Sequence, residues 1–378
     1  MKQENAIWLM SSAYDKLNQQ QLVEKAVTLG VQGIDLCVFR TDSDRADHTA
    51  THLAYESFDS DDAAKLIELF NKNELRMSLG AFDNMIGGDE SERVKNQNHL
   101  LRLIRIAHLL GGDANDVIVG TFVGYNHELG NMEDGFQRNL DEYKRIFAPI
   151  VRYAEDLGVT IAYENCPMEG WRSARYTTTY NNLPGVLAAR QLMYAMVDSK
   201  AHGEIYDPSH DIWQNTDPVA VMQQTDISRL KRIHVKTTRN LQNSARIQWG
   251  GMYPMQQVDA SLAEKAGVSI PKNDWDRHHY EAMLPGFGGT DHMDWNAFTA
   301  TLRERGYSGA FEIENEAKNS KDTGVPAAID QGIKSCVNYL SPLLWPLSEA
   351  GYVRPNHQPL VQVTTQRHVP VVQMKDLL

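Results

Sequence analysis

Cysteine is scarce in this 378-residue chain, with three residues, Cys37, Cys166 and Cys336. None are in CxxC spacing and the count is odd, so a disulfide framework is not expected, and a reducing compartment fits. No apolar run approaches the 18 or more residues of a membrane span. The opening segment MKQENAIWLMSSAYD carries an acid early and no long apolar stretch, so it does not read as a signal peptide, and a cytoplasmic location is expected. Net positive charge is also missing. The balance is −12, with a pI near 5.5, which argues against a nucleic-acid partner because phosphate neutralisation needs a basic face. No GxGxxG follows the first apolar run, so the dinucleotide fold lacks its fingerprint.

What is present is a rhythm. Short apolar runs alternate with longer amphipathic segments. The runs are AIWLMSS (6–12), GIDLCVF (33–39), RMSLGAF (76–82), DVIVGTF (116–122), VTIAYEN (159–165), GEIYD (203–207), RIHVK (232–236) and AFEIEN (310–315). Helical spacing appears at 19–30, 61–73, 91–110, 134–157, 218–230, 295–305 and 326–344. Eight such strand runs alternating with helical segments favour a closed (β/α)8 barrel with a parallel sheet over an open doubly wound one. The barrel domain is expected over 1–349, including a long insertion at 237–290, and 350–378 form a C-terminal extension. A loop at 166–181 and the insertion follow strands five and seven, and so belong to the face where barrel enzymes build their sites. The extension alternates in LVQVTTQ, which predicts a strand-like edge seeking a partner strand, a subunit or the active-site mouth to cover.

Four candidate metal ligands close the late strands: Glu164 on strand five, Asp207 on six, His234 on seven and Glu314 on eight. Strand ends of a parallel barrel converge on one mouth. Three carboxylates and an imidazole are an oxygen-rich set, which suits Mn2+ best, with Mg2+ or Co2+ as alternatives, and suits a thiolate-type zinc site poorly.

The segments YEN at Glu164, YDPSH at Asp207, IHVK at His234, LPGFGGTDHMDW at 284–295 and GYSGAFEIENE at 306–316 resemble the xylose isomerase-like barrel superfamily, the sugar phosphate isomerase/epimerase family. The resemblance covers most of residues 1–345. It implies that Glu164, Asp207, His234 and Glu314 bind one divalent ion, and that Glu164 and Glu314 flank a substrate carbon and take and return its proton. It also implies that His210 contacts substrate, with Lys236 and Arg239 as further contacts. Alternation puts Glu312, Glu314 and Glu316 on one face, and the spacing from GYSG selects Glu314 as the ligand. Glu312 is then expected deeper in the barrel and Glu316 beyond the strand end.

A metal-polarised carbonyl with carboxylates nearby supports isomerisation, epimerisation or elimination, so the same site serves several reactions. The expected substrate is a keto- or aldo-sugar, or a derivative of one. Trp171 and Arg172 in the loop after strand five offer a ring-stacking face and an anion contact. His127, after strand four, would supply a base separate from the metal, which fits a lyase. The elimination reading resembles catalytic subunits of C-glycoside deglycosidases, which act on 3-oxo-glycosides with a small accessory subunit. A homo-oligomer is the other expected assembly. An endonuclease IV-like activity is disfavoured by the charge, and a noncatalytic sugar-binding protein would not need the full ligand set.

Overall fold

The computed structural model describes residues 5–43, 51–168, 181–240, 259–268, 280–288, 292–362 and 369–378. Eight parallel strands close into a barrel: β1 Ile7–Met10, β2 Gly33–Cys37, β3 Arg76–Gly80, β4 Val119–Thr121, β5 Ile161–Glu164, β6 His202–Tyr206, β7 Leu230–Val235 and β8 Ala310–Ile313. Closure is made by β1, which pairs with β2 on one side and β8 on the other. The (β/α)8 expectation is met. Among the described residues no helix is long and apolar enough to cross a membrane.

The outer helices are α1 Gln19–Leu29, α2 Ser60–Lys72, α3 Glu90–Leu109, α4 Gly135–Asp156, α5 Leu187–Met196, α6 Pro218–Gln224, α7 Trp295–Glu304 and α8 Pro326–Leu344. Their ends follow local chemistry. Asn18 and Gln21 form a capping box at α1, and Gly30 ends it in the left-handed region, which L side chains rarely adopt. In α4 the residues Tyr143, Ile146, Phe147, Ile150 and Val151 are buried at helical spacing, while Tyr153 is only half-buried.

Two helices differ from the sequence reading. That reading places no helix between 166 and 202, yet α5 lies there. Its buried residues are Ala189, Arg190 and Met193, so a charged side chain occupies the inward stripe and breaks the apolar period. Helix α6 stops at Gln224 rather than near Leu230, because Thr225 turns extended and Asp226 accepts hydrogen bonds from Ser228 in a tight turn.

The barrel interior is unusually charged. Arg232 lies 4.7 Å over the Trp8 ring and makes ion pairs with Glu312 (3.1 Å) and Asp116 (3.0 Å). Ser78 donates to Asp35 at 3.0 Å and to Glu312 at 3.3 Å. Burial, then the neighbouring Asp35 charge, pushes the Glu312 carboxyl up to about 8. Above this layer an apolar cluster of Met10, Cys37, Phe39, Phe82, Phe122 and Cys166 fills the ends of the first five strands.

The extension corrects an expectation. Its described residues do not cover the mouth and form no strand at 360–362, and the rest of LVQVTTQ lies outside the described residues. It runs under the opposite, N-terminal face. Asn71 donates to Leu360 O and accepts from Leu360 N, and Asn115 does the same with Val361. Arg76, the first residue of β3, donates to Gln358 O, and Arg105 donates to Val369 O. Side-chain amides therefore satisfy the backbone groups that a partner strand would have satisfied. The Asn71→Ala variant is expected to lose about 1–2 kcal/mol of stability, from two hydrogen bonds, without loss of turnover. Urea titration beside a rate assay checks this; unchanged stability would mean that this contact does not hold the extension.

Candidate active site at the barrel mouth

Glu164 is the last residue of β5, and Asp207 immediately follows β6. His234 is the penultimate residue of β7, Lys236 follows that strand, and Glu314 follows β8. All five side chains therefore reach the C-terminal face, and all are buried, with Glu314 the most accessible at 8%. Asp207 caps the short helix Pro208–Trp213 by accepting from Ser209 N, which turns His210 back over the strand ends.

Two donor groups share Glu164. Glu164, His234 and Glu314 form one, and Glu164, Asp207 and His210 form the other, with ligand atoms in each within 4.8 Å of one another. His234 Nδ1 lies 3.4 Å from Glu164 Oε1 and 3.2 Å from Glu314 Oε2. His210 Nε2 lies 3.2 Å from Glu164 Oε1 and 3.0 Å from Asp207 Oδ2. Lys236 Nζ contacts Asp207 at 3.0 Å, Glu314 at 2.9 Å and Glu316 at 3.0 Å. The expected four-residue set is thus split: Asp207 stands with His210, and Lys236 separates it from Glu314.

The electrostatics all favour positive charge. Burial would raise the Glu164 carboxyl, but His234 and His210 together hold it well below the usual carboxylate range. Burial opposes charge on His234, yet Glu164 and Glu314 raise its basicity far above normal. His210 is raised in the same way, against burial, chiefly by Asp207. Lys236 is raised, against burial, by Asp207 and Glu314. Positive charge here can be protons, the ammonium, or a divalent cation that displaces protons as it binds. The donor chemistry fits such an ion. His234 Nδ1 is buried, faces two carboxylate oxygens, and makes no well-formed hydrogen bond.

Glu312 lies below Glu314 in the strand, its Oε2 3.6 Å from His234 Nε2, and Glu316 lies beyond the strand end against Lys236. His127 opens a short helix, donates from Nε2 to Asn181 Oδ1 at 2.9 Å, and packs edge-on against Tyr125. Arg239 pairs with Glu281 across a two-stranded hairpin, Thr237–Asn240 with Tyr280–Met283, that opens and closes the insertion. Trp171 and Arg172, like most of the insertion, lie outside the described residues.

Several supporting residues escaped the sequence reading. Asn165 clamps two strand ends, accepting from Asp207 N at 2.7 Å and donating to Asp207 O at 3.0 Å. Asn182 donates to Glu164 O and Cys166 O and accepts from Val123 N and Gly124 N, which ties the β4 and β5 ends together. Trp213 donates to Thr238 Oγ1 and lies against the His210 ring. The YEN segment held the signal for Asn165. Nothing local marks Asn182. A row of rings, Phe39, Phe82 and Phe122, adjoins this site, with Phe82 6.0 Å from the His234 ring.

Residues 23–338 match the xylose isomerase-like TIM barrel family. The chain belongs to that family. No curated protein sequence matches it. Among solved structures, this xylose isomerase-like barrel is similar to a probable 3-DHS dehydratase, AsbF, from Bacillus anthracis, at 14% identity and TM-score 0.56 over 89% of this chain and 98% of that one. It is similar to D-psicose 3-epimerase with D-tagatose from Clostridium cellulolyticum H10, at 11% identity and TM-score 0.56 over 90% and 99%. It is also similar to the IOLI protein with a bound zinc atom, at 14% identity and TM-score 0.56 over 89% and 97%. At such identities the likeness shows the barrel. The xylose isomerase-like fold places the strand ends, and the chemistry rests on the side chains described above.

Proposed function

We propose that this chain is a divalent-metal-dependent isomerase or epimerase of a keto- or aldo-sugar or sugar derivative. The observation that carries the reading is the pair of donor groups sharing Glu164 at the barrel mouth. Glu164, Asp207, His234 and Glu314 would hold the ion, with His210 close enough to Glu164 and Asp207 to join or replace a ligand. Oxygen-rich ligation favours Mn2+, with Mg2+ or Co2+ as alternatives. A bound divalent ion would polarise a carbonyl and ease removal of the neighbouring proton.

The chain's own groups supply the rest. Glu164 and Glu314 would flank the substrate carbon, one taking its proton and the other returning it. Lys236 and His210, both buried among the site carboxylates, are placed to orient substrate oxygens. The zinc-bound neighbour and the 3-epimerase neighbour agree with a metal-assisted proton transfer on a sugar.

The phenylalanine row beside His234 favours a second reading, elimination of an aromatic leaving group from a 3-oxo-glycoside, with His127 as base. One experiment separates the two. Purified protein with Mn2+ is incubated in D2O with free ketoses, aldoses and 3-oxo-glycosides, and products are followed by NMR. The first reading expects deuterium at the carbon beside the carbonyl in a product with the same atoms. The second expects a released aglycone. Turnover that continues unchanged after chelation would sink both.

A further inference from the structure

Lys236 stands in an unusual place for a residue beside a metal site. Its ammonium is buried and touches carboxylates of both donor groups, Asp207 at 3.0 Å and Glu314 at 2.9 Å. Two atoms ligating one ion at 2.0–2.2 Å can be no more than about 4.4 Å apart. Asp207 falls in the group with Glu164 and His210, and not in the group with His234 and Glu314. The ammonium occupies the gap that keeps these sets apart. It also touches a third acid, Glu316 at 3.0 Å, which belongs to neither donor group. Glu316 is the more solvent-accessible acid, with its side chain 19% exposed against none for Asp207.

The geometry points to Lys236 as an internal cation that competes with the divalent ion for Asp207 and Glu314, with Glu316 as the acid that takes the ammonium over when the ion enters. The inference rests on the metal reading above. A lysine and a divalent ion close to the same carboxylates repel each other strongly in a buried site. Withdrawal to Glu316 keeps the lysine paired, so it need not become an uncompensated buried charge. The same swing would bring Asp207 and Glu314 into one ligand set. Lys236 is thus a positioning residue, acting through the ligands.

The test is Mn2+ affinity of chelator-stripped full-length protein, measured by titration calorimetry and by the EPR signal of free Mn2+. Lys236→Met removes the competitor and keeps the stem, and is expected to tighten binding about tenfold or more. Glu316→Gln removes the alternative partner and is expected to weaken binding by a similar factor, about tenfold. The double variant should resemble Lys236→Met. A general role in packing would weaken binding in both single variants. If Lys236→Met binds Mn2+ no more tightly than the parent, or Glu316→Gln binds it equally well, the competition is refuted. If neither parent nor Lys236→Met binds Mn2+ at all, the metal reading fails as well. If the parent binds and Lys236→Met shows no gain, only the competition fails. Should Lys236→Met not fold, Lys236→Gln and Glu316→Gln carry the same opposed expectations.

Discussion

Glu164→Gln is expected to reduce turnover by about 10²–10⁴-fold and to abolish Mn2+ binding at micromolar concentrations. The size of the effect follows from position. Glu164 belongs to both donor groups, so its charge serves His234 and His210 at once. Glutamine keeps the shape and loses the charge. The same charge helps to raise His234 above its ordinary basicity, so the variant should also titrate that imidazole at lower pH. Calorimetry, rate assays and histidine NMR measure the three consequences separately. A variant that binds Mn2+ and turns over like the parent would remove Glu164 from the centre of the site. Normal binding with lost turnover would leave it as a base and not a ligand.

The second large effect lies away from the mouth. Arg190 on α5 and Glu204 on β6 form an ion pair at 2.6 Å with side chains 1% and 2% exposed. Arg190 also donates to Pro184 O at 2.9 Å. Arg190→Met would strand the Glu204 carboxylate, and breaking a buried pair typically costs about 3–5 kcal/mol. Burial already raises the Glu204 carboxyl, and Arg190 is the main group opposing that rise. Without Arg190 the folded-state value lies further above the unfolded one. Glu204 then favours the folded state only below its unfolded value, and that support is lost as pH rises through the raised folded one. The stability deficit should accordingly be larger at pH 8 than at pH 5. Adding Glu204→Leu should recover most of the loss, since an apolar pair of similar volume is often neutral. Denaturant midpoints for the two variants at both pH values test this. A deficit under about 1 kcal/mol in the single variant would show that Glu204 finds another partner.

Much of this architecture could be read from the chain alone, and the failures share a cause. The eight strands were visible because apolar runs end in polar residues at regular spacing. Glu164, Asp207, His234 and Glu314 stood out because each follows such a run directly. Helix α5 was hidden because Arg190 sits on its inward face, and its partner Glu204 lies on the neighbouring strand. The division of the ligands by Lys236 was hidden for the same reason: it depends on a lysine after β7 meeting acids from β6 and β8. In the extension, alternation in LVQVTTQ suggests a strand, and at residues 360–362 none forms. Nothing local shows that Asn71 and Asn115 will satisfy its backbone instead. Asn182 reaches its four backbone partners only once the β4 and β5 ends are side by side.

The two halves of the mouth treat water differently. From β1 to β4 the strand ends carry Met10, Phe39, Phe82 and Phe122, which offer a water molecule nothing to bond. From β5 to β8 they carry Glu164, Asp207, His234, Lys236 and Glu314. Such a cup sets an aromatic wall of Phe39, Phe82 and Phe122 against a wall of carboxylates, imidazoles and an ammonium. A dipolar molecule entering would be turned before it is gripped, its oxygens toward one wall and its carbon skeleton toward the other. A reactive carbanion-like centre held between them would be sheltered from water on its apolar flank. Proton return would then come from Glu164 or Glu314 rather than from water, and the handedness of the product would follow from which of the two flanking carboxyls delivers it.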